Sequence, residues 1–130
     1  MVNDPIGDLL AQIKNASMVG KKAIVLPYSR MKKEVSSILI REGFLSGLQV
    51  TGEKPKEMLH LDLRYDGKTS VITGIKRVSK PGLRRYVSFK EIPTVVGGMG
   101  VSVVSTPSGI MTGYEAKKKN IGGELLCLIW

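Results

Sequence analysis

The sequence predicts an α+β fold, with an N-terminal α-β-α-β-β unit followed by a mainly β C-terminal half that holds one short helix. Three observations predict it. Two apolar stripes of helical period lie within the first 43 residues. Leu59, Leu61 and Leu63 alternate with His60, Asp62 and Arg64, the pattern of a strand with one wet face. After Asp66-Gly67 the chain changes to short β-branched runs punctuated by Gly and Pro.

The first helix follows a cap at Asn3 or Asp4, with Pro5 suited to the first helical position. Ile6, Leu9, Leu10, Ile13 and Ala16 form its stripe, and Gly20 ends it. Ala23-Ile24-Val25-Leu26 reads as a short strand stopped by Pro27. Ser29 caps a second helix with Met31, Val35, Ile38 and Leu39 on one face and Gly43 as its stop. Phe44 to Val50 and the Leu59–Leu63 alternation supply two strands, so both helices should pack on one side of a small sheet. Asp66-Gly67 is a turn and the expected boundary between 1–67 and 68–130. Beyond it, Val71 to Val78 and Tyr86 to Phe89 read as strands around the turn Ser79-Lys80-Pro81-Gly82. Glu91 to Val96 reads as a helical turn and Val101 to Ser105 as a strand. Thr112 and Glu115 have capping-box spacing, and the short helix they open ends in Lys117-Lys118-Lys119 and stops at Asn120. Glu124 to Trp130 is a buried closing strand.

A chain of 130 residues, 42% hydrophobic, can build one domain or two very small ones. The net charge of +9 favours an anionic partner, either nucleic acid or an acidic membrane surface. Residues 1–67 carry ten basic and eight acidic side chains, whereas residues 68–130 carry ten and three. The partner surface is therefore expected on the second half. No apolar run approaches the roughly 18 residues of a membrane span, and the N-terminus does not read as a signal peptide. The single cysteine, Cys127, lies in an apolar run and reads as a buried, inert thiol of a reducing cytosol.

Within the basic half, Val103-Val104-Ser105-Thr106-Pro107-Ser108-Gly109 reads as a strand running into a tight, uncharged, exposed turn. Charge supplies affinity for a polyanion, while small hydroxyls on a stiff turn can approach a backbone or base edge closely. Lys76, Arg77, Lys80, Arg84, Arg85 and Lys90 flank one turn, with Tyr86 among them as a stacking surface for a base or sugar. The plainer reading of that cluster is a solvated basic face with a core tyrosine. Gly97-Gly98-Met99-Gly100 fits a G-x-x-G template, yet a strand pattern follows it and no Lys or Arg lies in it, so it reads as a glycine turn. There is no P-loop, no nucleophile elbow, and only one His and one Cys, far apart. Enzyme chemistry, metal and cofactor are not expected. Glu124 is the odd acid, placed after Gly122-Gly123; it reads either as a carboxylate that orients the hydroxyl turn or accepts from a base amine, or more plainly as an exposed strand-end acid.

Four stretches carry a family pattern: Asp4-Pro5-Ile6-Gly7-Asp8-Leu9-Leu10, Arg77-Val78-Ser79-Lys80-Pro81-Gly82-Leu83-Arg84, Ser105-Thr106-Pro107-Ser108-Gly109-Ile110-Met111-Thr112 and Gly122-Gly123-Glu124-Leu125-Leu126-Cys127. In this order and spacing the chain resembles the bacterial type of small-subunit ribosomal protein eight, over essentially its whole length. The resemblance implies two small α/β domains and no enzymatic activity. It implies a cytoplasmic, ribosome-bound protein that binds the central domain of small-subunit ribosomal RNA early in assembly. The resemblance also implies that a short irregular RNA helix is gripped from its minor-groove side, among neighbouring small-subunit ribosomal proteins. A further implied role is binding of the messenger that encodes it, with repression. The resemblance places Ser105 and Thr106 against bases and backbone, Tyr86 beside the RNA, and Glu124 in support of the turn. It also puts Asp4 and the start of the second helix (Ser29, Arg30, Met31, Lys32) on the sugar-phosphate backbone. Pro107 and Ser108 depart from the family's commonest form, in which Ser and Lys are frequent. Two rivals remain at this level, a non-specific basic RNA chaperone and a protein adaptor using the apolar residues from Val95 to Val104.

Overall fold

The structure, a computed structural model, describes residues 4–95 and 98–130. The expected cap Asn3, the end of the expected helical turn at Val96, and Gly97 of the glycine cluster lie outside the described residues. The chain divides into two compact units, one spanning Pro5–Ile72 and the other holding Thr73–Trp130 with Asp4. The Asp66-Gly67 turn is the tip of a small hairpin inside the first of these.

In the first unit, α1 (Pro5–Val19) buries Ile6, Leu9, Leu10, Ile13 and Ala16, the stripe expected from the spacing. Strand β1 (Ala23–Pro27) leads to α2 (Arg30–Arg41), whose cap Ser29 accepts a hydrogen bond from the Lys32 N–H at 3.1 Å. Then come β2 (Leu45–Thr51) and β3 (Met58–Leu63), and the three strands pair antiparallel in the order β1-β3-β2. Ile24 and Leu26 oppose Leu61 and Leu59, so one face of the sheet is continuously apolar. Helices α1 and α2 pack on the sheet, α1 against β1 and α2 against β2. Each fully buried Leu or Ile there stabilises the unit by about 1.5–3 kcal/mol relative to exposure. The two-residue strands β4 (Tyr65–Asp66) and β5 (Thr69–Ser70) close the unit.

The second unit is a five-stranded antiparallel sheet built around its last strand. It comprises β6 (Ile75–Arg77), β7 (Tyr86–Val87), β8 (Val101–Thr106), β9 (Gly109–Thr112), helix α3 (Gly113–Lys118) and β10 (Gly123–Ile129). Both β6 and β7 pair with β10 on one side, and β8 lies on the other with β9 beyond it. Thr112 caps α3 through the expected reciprocal box with Glu115. Asn120, with φ 56, ends the helical segment as expected.

Three strand expectations change. The run from Val71 to Val78 forms ladder pairs only at Ile75–Arg77. The N–H groups of Thr73 and Gly74 instead both reach the Trp130 carbonyl, and those of Val78 and Ser79 both reach Leu126 O, at a bulge in β10. The strand from Tyr86 ends at Val87, because Ser88 N–H donates to Glu91 Oε1 while Glu91 N–H donates to Ser88 O. This turn replaces the start of the helical turn expected from Glu91, where Pro93 removes a donor and disfavours helical geometry at Ile92. Strand β9 was not anticipated, and it turns the Ser105–Gly109 segment into the tip of a hairpin.

Candidate nucleic-acid interface

The register of the second sheet sets three predicted residues side by side. Tyr86 opposes Glu124, Glu124 opposes Ser105, and Ser105 opposes Ile110 across β7, β10, β8 and β9. Directly opposed residues share one face of a sheet. One position along, Leu125, Val104 and Met111 oppose one another on the other face and pack with Ile92 and Ala116 in the core. The polar row is thus mounted on a buried apolar layer.

Tyr86 is 72% exposed, so its ring is a free stacking surface rather than a core tyrosine. The Glu124 carboxylate is largely covered, which overturns its plain reading as an exposed strand-end acid. Its Oε2 accepts a hydrogen bond from the Ser79 hydroxyl and one from the Arg84 guanidinium at 3.1 Å. Ser79 Oγ in turn accepts the Arg85 N–H at 3.2 Å. Lys80 and Leu83 exchange backbone hydrogen bonds at 3.1 and 3.0 Å, with Pro81 and Gly82 at the turn's centre and Gly82 at φ 85. Glu124 therefore anchors a tight turn that presents Lys80, Arg84 and Arg85 to solvent.

Beside this row stands the hairpin tip. Thr106 Oγ1 donates to Gly109 O at 2.7 Å and accepts the Ser108 N–H at 3.1 Å, closing the loop on itself. Pro107 and Ser108 are the exposed loop residues, and Gly109, at φ 115, returns the chain to β9. The Ser105 hydroxyl has no hydrogen-bond partner among the described residues, whereas that of Thr106 braces the turn. Gly122 and Gly123 have a steric cause. A side chain at Gly123 would run into the Ser105 carbonyl, and one at Gly122 into the Val87 carbonyl.

Other expected residues are placed differently. Asp4 is paired through both carboxylate oxygens with the Arg77 guanidinium, whose Nε also donates to Ser79 O at 3.0 Å. Arg77 thus leaves the solvated basic cluster and braces the Ser79 turn from behind. In the first unit, Ser29 uses its hydroxyl as the cap of α2, and Arg30 is exposed with a 3.2 Å pair to Glu34. Lys32 is buried. It is only 6% exposed, with its ammonium 2.8 Å from Asp8 Oδ2 and 3.3 Å from Pro27 O. Its hydrogen bond, with a second from Gln12, holds the Asp8 carboxyl below the usual carboxylate range. Met31 is half-buried.

Ser79 is the site residue that sequence reasoning missed as a functional side chain. It lies within a quoted stretch, but its link to Glu124 spans 45 positions and is visible only in the register. Lys76, Lys90, Lys118 and Lys119 are exposed, and the Lys90 ammonium lies 5.9 Å from the Phe89 ring centre. Cys127 is fully buried, and burial pushes its thiol up to about 12. Among the described residues no group of His, Cys, Asp and Glu could hold a metal, and no helix is long and apolar enough to cross a membrane.

A polar row, a closed hydroxyl-bearing loop and an exposed basic turn thus belong to one unit. Comparison with known proteins gives the family. The family Ribosomal protein S8 matches residues 4–130. The chain is 50% identical over 129 residues to the small ribosomal subunit protein uS8 of Dictyoglomus thermophilum, covering 99% of this chain and 98% of that one. It is 48% identical over 131 residues to the uS8 of Dehalococcoides mccartyi and 47% over 130 to that of Mesoplasma florum, with 100% of each chain covered in both cases. The chain belongs to the Ribosomal protein S8 family, a family of ribosomal proteins rather than of enzymes.

Proposed function

We propose that this protein is a structural constituent of the small ribosomal subunit, in the cytoplasm, that binds the central domain of 16S ribosomal RNA during assembly. Family membership supports the ribosomal part of this reading. The observation that carries the RNA part is the row Tyr86–Glu124–Ser105 beside the closed Thr106–Gly109 loop. Ser105 offers a free hydroxyl to a base or sugar edge, Tyr86 stacks, and Pro107 and Ser108 form the contacting tip. Lys80, Arg84 and Arg85 supply the salt-dependent attraction to phosphates. Glu124 works by holding the basic turn in register with the hairpin. Arg30 and the Ser29 backbone at the start of α2 form a secondary backbone contact, while Asp4 and Lys32 act inside the protein. Neighbouring small-subunit proteins are its expected protein partners. A messenger hairpin of the same irregular shape would occupy the same surface and make the protein a repressor of its own operon.

The test is binding to a hairpin carrying the irregular helix of the central domain, against a regular duplex of equal length, across a salt series. A preference that survives moderate salt is expected. Equal binding that collapses with salt would leave a non-specific basic RNA chaperone.

A further inference from the structure

Among the described residues, strand β1 is an edge of its sheet and pairs only with β3. Leu63 N–H donates to Lys22 O at 2.8 Å, and Tyr28 N–H donates to Glu57 O at 3.1 Å. With the register Ala23↔Asp62 to Pro27↔Met58, the alternation turns the backbone groups of Lys22, Ile24, Leu26 and Tyr28 toward β3. Those of Ala23, Val25 and Pro27 therefore point outward. Pro27 has no N–H, and its carbonyl already accepts from the Lys32 ammonium. Ala23 and Val25 leave two N–H and two C=O groups on the open edge, with no partner among the described residues.

Natural edges are blunted by charge, proline or bulges. Here Lys21 and Lys22 precede the strand and Pro27 ends it, and the middle is unguarded. A cleft beside it is lined by Gln12, Asn15, Ala16, Val19, Lys21 and Ile24. Val19 and Val25 are 71% and 49% exposed, a high apolar exposure next to unpaired backbone. The lining holds a positive charge and no acid, and Lys22 adds a second positive charge at the same end of the strand.

We propose that β1 and this cleft form a strand-pairing site for an extended segment of another protein, in which apolar residues alternate with acidic ones. The segment adds as a fourth strand. Its backbone pairs with Ala23 and Val25, one apolar side chain enters the cleft against Val19 and Ile24, and an acid at the segment's end beside Lys21 and Lys22 meets their charge. Two backbone pairs give a modest affinity, so the site acts alongside other contacts.

The test uses the full chain, isotope-labelled, titrated to millimolar with a capped hexapeptide of alternating valine and glutamate. Amide exchange at Ala23 and Val25 is expected to slow at least tenfold at saturation, with shift changes centred on residues 19–27. Val25→Pro removes an outward N–H and no bond to β3, and should weaken binding tenfold or more. The exposed double variant Lys21→Glu/Lys22→Glu should prefer a valine–lysine hexapeptide, and it decides the question if Val25→Pro fails to fold. Unchanged exchange at Ala23 and Val25 under excess peptide, or undiminished binding by a folded Val25→Pro, overturns the proposal. Protection that rises with protein concentration in the absence of peptide assigns the edge to a second copy of this chain, and overturns it equally.

Discussion

Thr106 and Arg84 separate the two contributions expected of an RNA-binding surface. The Thr106 hydroxyl makes both of its hydrogen bonds inside its own turn, so its removal loosens the loop without removing charge. Thr106→Ala is expected to reduce binding to the irregular helix roughly tenfold, about 1.4 kcal/mol, and to leave regular-duplex binding unchanged. Equal losses on both, measured by titration of the two RNAs, would remove the loop's part in site choice. Arg84 carries charge beside Glu124. Arg84→Ala should weaken both RNAs and lower the salt slope by about 0.9 on a duplex, and an unchanged slope excludes a phosphate contact. Residue roles were legible in the sequence only where they are local. Ser29 and Thr112 announced themselves as caps by position. Lys32 did not announce its burial, because its partner Asp8 lies 24 positions away, nor did Arg77 its pairing with Asp4, 73 positions away.

At the scale of elements, the start of β10 has the least room to change. Gly123→Ala drives a methyl into the Ser105 carbonyl and must push β10 away from β8. Overpacking of this kind costs about 1–3 kcal/mol, which a denaturant titration would register as a lower midpoint. The same variant should weaken RNA binding even where it stays folded, since Glu124 moves with Gly123. A wild-type midpoint would show that the sheet absorbs the methyl. Helices α1 and α2 were legible because a stripe with a cap at one end and glycine at the other is a local pattern. Strand β9 escaped because Gly109–Thr112 is four residues with one buried pair, Met111 and Thr112, and its identity comes from pairing with β8. The overlong strand read from Val71 failed for the opposite reason. Its β-branched residues fit a ladder, but the β10 bulge and the Trp130 carbonyl take its donors.

For the whole molecule, a charged pair and a thiol show the two opposite ways in which pH acts. The Asp8 carboxyl is held below its ordinary value, chiefly by the Lys32 ammonium. A depressed carboxyl contributes stability that is complete above the unfolded value, near 4, and is lost as pH falls through the folded value. Asp8→Asn should lower stability at pH 7 by roughly 1–2 kcal/mol, discounted from a fully buried pair because Asp8 is half exposed. The gap to wild type should close as pH is lowered from 5 toward 2. A constant gap in urea titrations across that range would refute the linkage. Cys127 behaves in the opposite sense. Its raised pKa keeps the folded thiol neutral, so the folded chain should resist alkylation at pH 8, while a denatured control reacts. Stability should fall above about pH 9, where the unfolded thiol ionises first. Labelling of the native protein at the denatured rate would contradict the burial.

The closed loop at Thr106–Gly109 also bears on what association demands of each side. Its proline has one backbone torsion fixed, the Thr106 hydroxyl is already engaged, and its flanking strands β8 and β9 are laddered to each other. A loop that needs no further ordering brings little conformational entropy to lose. If the proposed RNA is its ligand, the disorder surrendered on binding belongs to the nucleic acid. Affinity should then respond more steeply to changes that stiffen or loosen the RNA helix than to solvent conditions that soften the protein.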